Sequence, residues 1–503
     1  MAGSFQADFS SVVFLAALFG CCWSVNPGLR TALTSKGLNY ACSVGIPILE
    51  KELLTVAIPD ISGDADTPIG SISYSLSNIK LVSFKIPTAS ITSSSGGLSA
   101  QASGISIYVT ADWHYREDSW PHISDSGSLD VSGSSISLEV GVVMGADSKG
   151  HATLSSTTCS FNIGNLDVHF SGGAAWLYNL FSDDIADSLK DSLRGQVCDE
   201  AKSTINTQGN AALETLPVIV QVDSISEIDF RLLQSPSFTS EYMETLHKGE
   251  FYSIAHPVEA PFTPPPLPPI ANTTKMIYFW LTDYIAESAG FVYTMAGALQ
   301  YNITPDMIPS SFPFKLNTAS FKALIPELYQ KFPNWPMQLD LNATKPPDFT
   351  FSPSLGGNLT VFGDMAVEVV SPTNKSMQLA FVLGLILYAD ASVAVKTNKS
   401  GGDIATFNAT FLKVDMTLLE SNVGDFNVAV LQTVVNLVCT GFVIPTINRE
   451  YSEMSSRLLP LYPSSLSFPS LSPQSMEVQV YQYQLLMELL LLTPPSPLVR
   501  TML

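Results

Sequence analysis

The sequence predicts an α+β protein made of two similar domains, each combining two helices with a long antiparallel sheet. At 503 residues the chain is too long for one hydrophobic core. A proline-rich stretch, "HPVEAPFTPPPLPPI", divides it into halves of similar size, with six prolines from Pro261 onward. Both halves show the same order of helical and strand-like hydrophobic patterns, which indicates a duplicated unit.

The N-terminal segment is predicted to be a secretory signal peptide. Its apolar stretch, "SVVFLAALFGCCWS", is too short to span a bilayer and has small residues near its end. No other run reaches the roughly 20 apolar residues that a spanning helix needs. The predicted organisation is a signal peptide at 1–24, an N-terminal domain at 25–255, a linker at 256–272, a C-terminal domain at 273–480 and a divergent tail at 481–503.

The first half begins and ends with a helical pattern. The opening helix is predicted from about Thr31 to Val56, with apolar residues at helical spacing at Leu38, Cys42, Ile46, Leu49 and Leu53. About a hundred residues of alternating strand pattern follow. The closing helix is predicted from an i, i+4 series at Leu177, Phe181, Ile185, Leu189, Leu193, Val197, Ala201 and Ile205.

The second half repeats this layout. A helix is predicted from apolar residues at Leu281, Ile285, Val292, Met295 and Leu299. Strand-like alternation occupies about 311–420. A last helix is predicted at Val430, Leu431, Val434, Val435 and Val438.

Composition limits the possible functions. Apolar residues make up 46% of the chain, charged residues make up 14% and the mean hydropathy is +0.23. Because a long helix against a curved sheet fills space imperfectly, the surplus apolar surface predicts slots that lipid chains can occupy. The net charge of −21 argues against nucleic acid as a partner and against simple electrostatic docking on anionic lipid.

Secretion is also predicted from glycosylation sequons and is consistent with the cysteine content. Seven N-x-S/T sequons occur, all in the C-terminal half, at Asn272, Asn302, Asn342, Asn358, Asn374, Asn398 and Asn408. Cleavage of the signal peptide would leave four cysteines, Cys42, Cys159, Cys198 and Cys439. Four cysteines allow three full pairings, the spacing does not choose among them, and one disulfide with two buried thiols is also allowed.

Several stretches, in order along about residues 25–450, resemble the family of the bactericidal/permeability-increasing protein and the lipopolysaccharide-binding protein. They are "VNPGLRTALTSKGLNYA", "IPDISG", "GGAAWLYNLF", "QVCDEA", "TLPVIVQVDS", "KGEFYS", "DMIPSSFPFKLNT" and "KFPNWPMQL". The resemblance implies an elongated boomerang of two similar domains. Each would be a highly twisted antiparallel barrel with two helices, and a central antiparallel sheet would join them.

The resemblance also implies a function and a disulfide. A bound phospholipid or other lipid is expected in each domain, with lipopolysaccharide of Gram-negative bacteria as the ligand and innate defence as the role. Cys159 and Cys198 occupy the family's disulfide positions. The family's basic tip residues are replaced here by "SGDADTP" and "WHYREDSWPHISDSG". Phospholipid or neutral-lipid transfer without endotoxin preference is therefore the alternative function.

The strand that ends in "ADWHYREDSW" supplies the candidate contact residues at the tip of the N-terminal domain. Trp113, Tyr115 and Trp120 follow the alternation of Ile105, Ile107 and Val109 or stand just beyond it. One interpretation is that their rings contact lipid or the surface of a membrane or micelle, where an apolar ring with a polar edge is favoured. The other is that they close the end of the barrel.

No catalytic or metal-binding pattern is found in the sequence. The six histidines show no HExxH spacing, the cysteines form no CxxC motif and no GxSxG is present. We therefore expect neither a metal site nor an enzyme. A lipid hydrolase is the remote alternative, because no nucleophile and base are visible as a set.

Overall fold

The computed structural model describes residues 26–67, 70–118, 122–172, 182–308, 314–352, 356–397 and 403–443, together with Pro445 and Asn448. The predicted signal peptide and the divergent tail lie outside the described residues. So do Trp120, Asn398 and the start of the closing N-domain helix at Leu177 and Phe181.

A small central sheet joins strands from both halves of the chain. Strand β1 (Leu29–Thr34) lies between β12 (Tyr242–His247) and β14 (Ile277–Leu281), antiparallel to both, and β11 (Ser237–Phe238) completes the sheet. The prediction of a helix from about Thr31 was therefore wrong for the first four residues. Their backbone groups bond to strands distant in sequence, which local periodicity cannot reveal.

The N-terminal domain is a curled antiparallel sheet with helices packed on it. The strand order is β2-β3-β5-β6-β7, with β4 paired to β5 and β8 paired to β6. The strands are β2 (Ile61–Thr67), β3 (Gly70–Lys85), β4 (Thr88–Ser94), β5 (Gly97–Glu117), β6 (Ser124–Ala146), β7 (Ala152–Asn162) and β8 (Asn165–Ser171). Alternate residues of the long strands form the core, as the period-2 pattern predicts.

Two long helices cover the core face of this sheet. Helix α1 (Ser35–Leu53) packs on β3 and β4, and α2 (Ser182–Ser203) packs on β2, β7 and β8. Helix α2 continues through a π-helical turn, Thr204–Gly209, into the short helix α3 (Asn210–Glu214). The i, i+4 prediction is confirmed from Ile185 to Val197, since Ile185, Leu189, Leu193 and Val197 are all buried. Ala201 is half-buried, and Ile205 lies beyond α2 in the π-helical turn.

The C-terminal domain repeats the arrangement with fewer strands. Its sheet has the order β15-β16-β18-β19-β20, with β17 paired to β18. The strands are β15 (Gln300–Ile303), β16 (Met337–Ala343), β17 (Asp348–Ser352), β18 (Gly356–Val370), β19 (Met377–Thr397) and β20 (Asp403–Ser421). The helices are α4 (Asp283–Met295), α5 (Pro326–Lys331) and α6 (Val428–Val438).

Two element boundaries in this domain differ from the predictions. Leu281 belongs to β14 and Leu299 lies beyond the end of α4, so the predicted helix is shorter than its apolar series. The region expected to be all strand contains α5, which begins at Pro326. Proline at the first helical position favours such a start, because its missing N–H needs no partner there.

The linker lies against the central sheet and is held there by hydrogen bonds. Asn26 Nδ2 donates to the carbonyl oxygen of Pro264 at 3.0 Å, and Arg30 Nη2 donates to that of Pro268 at 2.7 Å. The backbone N–H of Ala260 donates to the Glu250 carboxylate at 2.7 Å. A fourth sheet, β9 (Ile219–Gln221), β10 (Ser226–Asp229) and β13 (Glu250–Ser253), packs with α4 beside it. Within the described ranges, no helix is long and apolar enough to cross a membrane.

Candidate lipid-binding interfaces

The middle of α1 is incompletely buried against the N-terminal sheet. Leu38 and Leu53, near the two ends of the helix, are buried. The apolar residues between them on the same face, Cys42, Ile46 and Leu49, are only half-buried. Ile46 and Leu49 nevertheless contact the N-terminal core. This stretch of α1 therefore keeps apolar surface that neighbouring side chains do not cover.

Apolar side chains at the edges of the same core share this partial burial. On the sheet side they are Ala89, Val142, Ile163, Leu166, Val168 and Phe170, and on the second helix Ala201 and Ile205. Half-buried apolar side chains at the rim of a core form the kind of surface on which an apolar ligand can pack.

The C-terminal domain has a similar interface under α6. Leu431 is buried, whereas Val428 and Val435 are half-buried although they pack on the core. Elsewhere in this domain, the half-buried apolar side chains that pack on the core include Ile303, Phe321, Leu339, Leu341, Leu385, Leu387, Leu418 and Phe426. Both domains thus present an apolar helix–sheet interface that is not fully closed.

Two of the three tip aromatic residues are buried within the N-terminal domain. Trp113 is 2% exposed and Tyr115 is 3% exposed. The two rings stack on each other at 6.0 Å, Phe170 meets Trp113 edge-on, and the Trp113 indole N–H donates to the carbonyl oxygen of Ser128 at 3.0 Å. The prediction that Trp113 and Tyr115 form a surface contact is therefore corrected, because the inward register of β5 places both rings in the core.

Comparison with known proteins decides the family. The model of the LBP / BPI / CETP family, N-terminal domain, matches residues 37–215, and that of its C-terminal domain matches residues 220–461. The chain belongs to the LBP/BPI/CETP family. Members of this family are lipid-binding proteins and not enzymes, so the chain is assigned to the same class.

Individual relatives of this family cover most of the chain. A bactericidal permeability-increasing protein from Sebastes schlegelii is 33% identical over 444 residues, covering 85% of this chain and 91% of its own. A lipopolysaccharide-binding protein from Mus musculus is 32% identical, with 85% and 88% covered. A crystal structure of lipopolysaccharide binding protein matches with a TM-score of 0.59 at 28% identity, covering 85% of this chain and 92% of that one. The two-domain architecture predicted from the resemblance is confirmed.

The disulfide implied by the family resemblance is present. Cys159 on β7 and Cys198 on α2 are bonded, with their Cα atoms 5.7 Å apart. Cys42 and Cys439 are free thiols. Burial raises the pKa of the Cys42 thiol, and it raises that of Cys439 to about 11. Both thiols are half-buried at the two interfaces, on α1 and just after α6.

The sequons of this family member differ in accessibility. Asn272, Asn342 and Asn374 are exposed. Asn358 is half-buried, and Asn302 is half-buried with its side chain donating to Asp340. Asn398 lies outside the described residues, and Asn408 lies on β20. Glycosylation at all seven sites remains a prediction.

Several side-chain amides that join helices to strands were not predicted from the sequence. Asn206 and Asn210 bond to the backbone of β7, and Gln432 and Asn436 bond to that of β20. The i, i+4 spacing of each pair was the available signal. It could not be interpreted without knowing which strand edge faces each helix.

Proposed function

We propose that the protein is a secreted glycoprotein that holds the acyl chains of a phospholipid or other lipid in each domain, between the helices and the curled sheet. The observation that carries the proposal is the half-buried apolar face of α1 at Ile46 and Leu49. Burial of each CH2 group of an acyl chain contributes about 0.8 kcal/mol. Ten methylene groups would therefore contribute on the order of 8 kcal/mol before the entropic cost of binding.

The proposed ligand is lipopolysaccharide of Gram-negative bacteria, in innate immune defence. Support comes from relatives named bactericidal permeability-increasing protein and lipopolysaccharide-binding protein, which are about a third identical to this chain over most of its length. The apolar interfaces suit the acyl chains of lipid A. Secretion is supported by the same relatives and by the predicted signal peptide and sequons.

Acidic residues on the N-terminal sheet favour a second function, transfer of phospholipid or neutral lipid without endotoxin preference. Asp64 and Asp66 on β2 and Asp118 after β5 are exposed. Ser73 on β3 is the strand partner of Asp64, and its hydroxyl donates to Asp118. The carboxylates therefore lie on neighbouring strands at one edge of the sheet. Because like charges repel, this edge would oppose the phosphates of lipid A. Peripheral contact with a membrane or micelle surface would then depend on apolar rather than ionic contacts.

The first experiment identifies lipids that copurify with the recombinant mature protein. We expect organic extraction followed by mass spectrometry to release phospholipid in near-stoichiometric amounts. Cooperative unfolding would show that the purified protein is folded. If extracts of such protein contained no lipid, the result would contradict acyl-chain binding, both for lipopolysaccharide binding and for lipid transfer.

The second experiment separates the two functions by competition. Under the lipopolysaccharide proposal, lipid A should displace a fluorescent phospholipid saturably, and Asp64→Asn with Asp66→Asn should strengthen that displacement. The matched control is Asp183→Asn with Asp184→Asn, at exposed carboxylates of α2. Retention of phospholipid that is indifferent to lipid A would instead assign the protein to lipid transfer.

A further inference from the structure

The outer edge of the N-terminal sheet is closed by amide side chains from the helix beside it. Strand β7 is the last strand of its sheet. The backbone N–H of Leu154 donates to Asn210 Oδ1 at 2.7 Å, and the N–H of Ser156 donates to Asn206 Oδ1 at 2.8 Å. Asn210 Nδ2 also donates back to the Leu154 carbonyl oxygen at 2.8 Å. The helix side chains thus take the place of a neighbouring strand.

The C-terminal sheet is closed at its outer edge in the same way. Strand β20 is the last strand in its order. The N–H of Val414 donates to Asn436 Oδ1 at 2.7 Å, and the N–H of Met416 donates to Gln432 Oε1 at 3.1 Å. Further along, Asn448 accepts from the N–H of Ala409 at 2.7 Å and donates to its carbonyl oxygen at 2.8 Å.

The two sets of contacts obey one geometric rule. In each domain the bonded strand residues are two apart and the amide residues are four apart, and the helix runs antiparallel to the strand. In the C-terminal domain two strand residues span about 6.7 Å and four residues of α6 span about 6 Å, so the repeats match. In the N-terminal domain Asn206 lies in the π-helical turn and Asn210 begins α3. The same device therefore docks the closing helix in both halves of the duplicated fold.

The two domains differ in what else holds the helix. Cys159 lies three positions after Ser156 on β7, and Cys198 lies eight positions before Asn206, so the disulfide extends the line of amide contacts. The same offsets in the C-terminal domain lead to Leu419 and Gly424. In the described part of that domain, no disulfide joins α6 to β20, and Cys439 is a free thiol.

The closing helix is also less deeply buried in the C-terminal domain. Helix α2 buries four apolar residues of its i, i+4 series, as described above. Of the described side chains of α6, Leu431 alone is buried, while Val430 and Leu437 are 45% and 71% exposed. Hydrophobic burial therefore holds α6 less firmly than α2, and the amide contacts carry a larger share of its docking.

We propose that α6 is a releasable latch, in which Gln432 and Asn436 hold the helix on β20 and its release admits an acyl chain to the C-terminal core. In the N-terminal domain the disulfide keeps α2 docked, so the two domains differ in how readily they exchange lipid. The admission step rests on the proposed function of acyl-chain binding. The latch itself rests on the contacts between α6 and β20.

Alkylation of Cys439 tests the latch without any lipid. This thiol is half-buried in contact with the C-terminal core, so it reacts when the end of α6 leaves the sheet. The full chain is treated with N-ethylmaleimide, and peptide mass spectrometry follows labelling at Cys439 and, as an internal reference, at Cys42. We expect Gln432→Leu with Asn436→Leu to accelerate labelling of Cys439 on the order of tenfold or more and to leave Cys42 unchanged.

Acidic substitutions provide the matched control. Gln432 and Asn436 accept hydrogen bonds from β20 through their side-chain oxygens. Gln432→Glu with Asn436→Asp keeps an acceptor at both positions and should label at the wild-type rate. Wild-type labelling of Cys439 in the leucine pair, or equal acceleration in both pairs, would overturn the latch. If the leucine pair does not fold, Asn436→Leu alone should give a smaller acceleration, and an unchanged rate there overturns the latch equally.

Lipid uptake from vesicles separates this inference from the proposed function. Phosphatidylcholine vesicles carrying a fluorescent acyl analogue are mixed with wild type and both variant pairs. Faster uptake in the leucine pair supports admission through the latch. If all three proteins took up lipid at the same rate, lipid binding would stand, but the proposal that release of α6 admits the acyl chain would be overturned. Absence of uptake in every protein, with Cys439 labelling still accelerated, would contradict lipid binding but not the latch.

Discussion

At the scale of single residues, Glu287 on α4 links the stability of the protein to pH. Burial, and then the neighbouring carboxylates of Asp283 and Asp348, raises the pKa of Glu287 from 4.5 to about 7. Lys345 pairs with Asp348 at 3.2 Å. Between about pH 5 and pH 7 the folded protein therefore retains a proton at Glu287 that the unfolded chain has released.

The raised pKa of Glu287 predicts a direction for the pH dependence of unfolding. Its contribution to the free energy of unfolding should fall as pH rises from about 5 to about 7.5, because the folded state binds more protons there. Glu287→Gln removes this loss. We expect the variant to be more stable than wild type at pH 8 and the difference to shrink towards pH 5, measured by urea unfolding. Glu420→Gln, at an exposed position on β20, is the control. If the difference in the free energy of unfolding between Glu287→Gln and wild type did not vary with pH, the pH dependence could not be assigned to Glu287.

Trp113 shows what the sequence could predict about one side chain. The alternation from Ile105 through Val109 predicted an inward register for Trp113, and its burial agrees with that register. The surface-contact interpretation was wrong because Phe170 and the Ser128 carbonyl oxygen, which occupy the ring edge and the indole N–H, come from other strands. Such partners depend on strand pairing, and the sequence alone does not specify it.

At the scale of elements, the disulfide fixes α2 to β7. It closes a loop with a sequence separation of 39, for which the chain-entropy model gives a contribution of about 3 to 4 kcal/mol. Cys159→Ser with Cys198→Ser should therefore lower the free energy of unfolding of the N-terminal domain by roughly that amount. Hydrogen exchange resolved by domain would measure it, with Cys42→Ser as control. Equal loss of protection in both domains would show that the disulfide stabilises the whole chain instead.

The central sheet depends on Arg30 of β1. Its guanidinium lies 4.1 Å from the ring centre of Trp280 on β14 and 3.6 Å from Glu244 on β12, and it donates to Pro268 of the linker. Burial lowers the pKa of Arg30 and the neighbouring Glu244 carboxylate opposes that shift. One side chain thus contacts both halves of the chain and the segment between them.

Removal of Arg30 should loosen the linker. Arg30→Met removes the hydrogen bond to the Pro268 carbonyl oxygen and the ion pair with Glu244, which keeps its hydrogen bond from Ser237, at a cost of about 1 to 3 kcal/mol. We expect limited proteolysis within residues 256–272 to accelerate on the order of tenfold. Lys149→Met, at an exposed lysine, is the control. Cleavage at the wild-type rate would show that the prolines alone hold the linker in place.

The sequence predicted helices better than central strands. The series from Ile185 to Val197 identified α2 because one apolar face is a local property of the chain. Strands β1 and β14 were assigned to helices or missed, because β1 pairs with both β12 and β14 across more than two hundred residues. The half-buried state of Ile46 was also beyond the sequence, since apolar residues at helical spacing do not reveal how completely the opposing sheet covers them.

At the scale of the whole molecule, the duplicated fold predicts two separate lipid sites. The helix–sheet interfaces belong to two distinct cores, one built from β2–β8 with α1 and α2 and the other from β16, β18, β19 and β20 with α5 and α6. Separate small clusters lie around α4 and in the central sheet, and the cluster around α4 also includes Phe349 on β17 and Leu359 on β18. Occupancy of one domain should therefore not require occupancy of the other.

Tryptophan substitutions at the two interfaces test this independence. Ile46→Trp on α1 and Val435→Trp on α6 each add an indole where the native side chain is half-buried against a core. Matched controls are Leu54→Trp, at a residue 42% exposed, and Val430→Trp, at a residue 45% exposed on the same helix as Val435. Each interface variant should lose about half of the copurifying lipid, and the double variant nearly all of it, whereas the control variants should retain wild-type amounts. Loss of all lipid from either single variant would show one continuous site, and retention by the double variant would place the lipid elsewhere. Each control variant adds the same indole as its interface variant, but at an exposed position. A general effect of adding a large apolar ring would therefore appear in the controls as well.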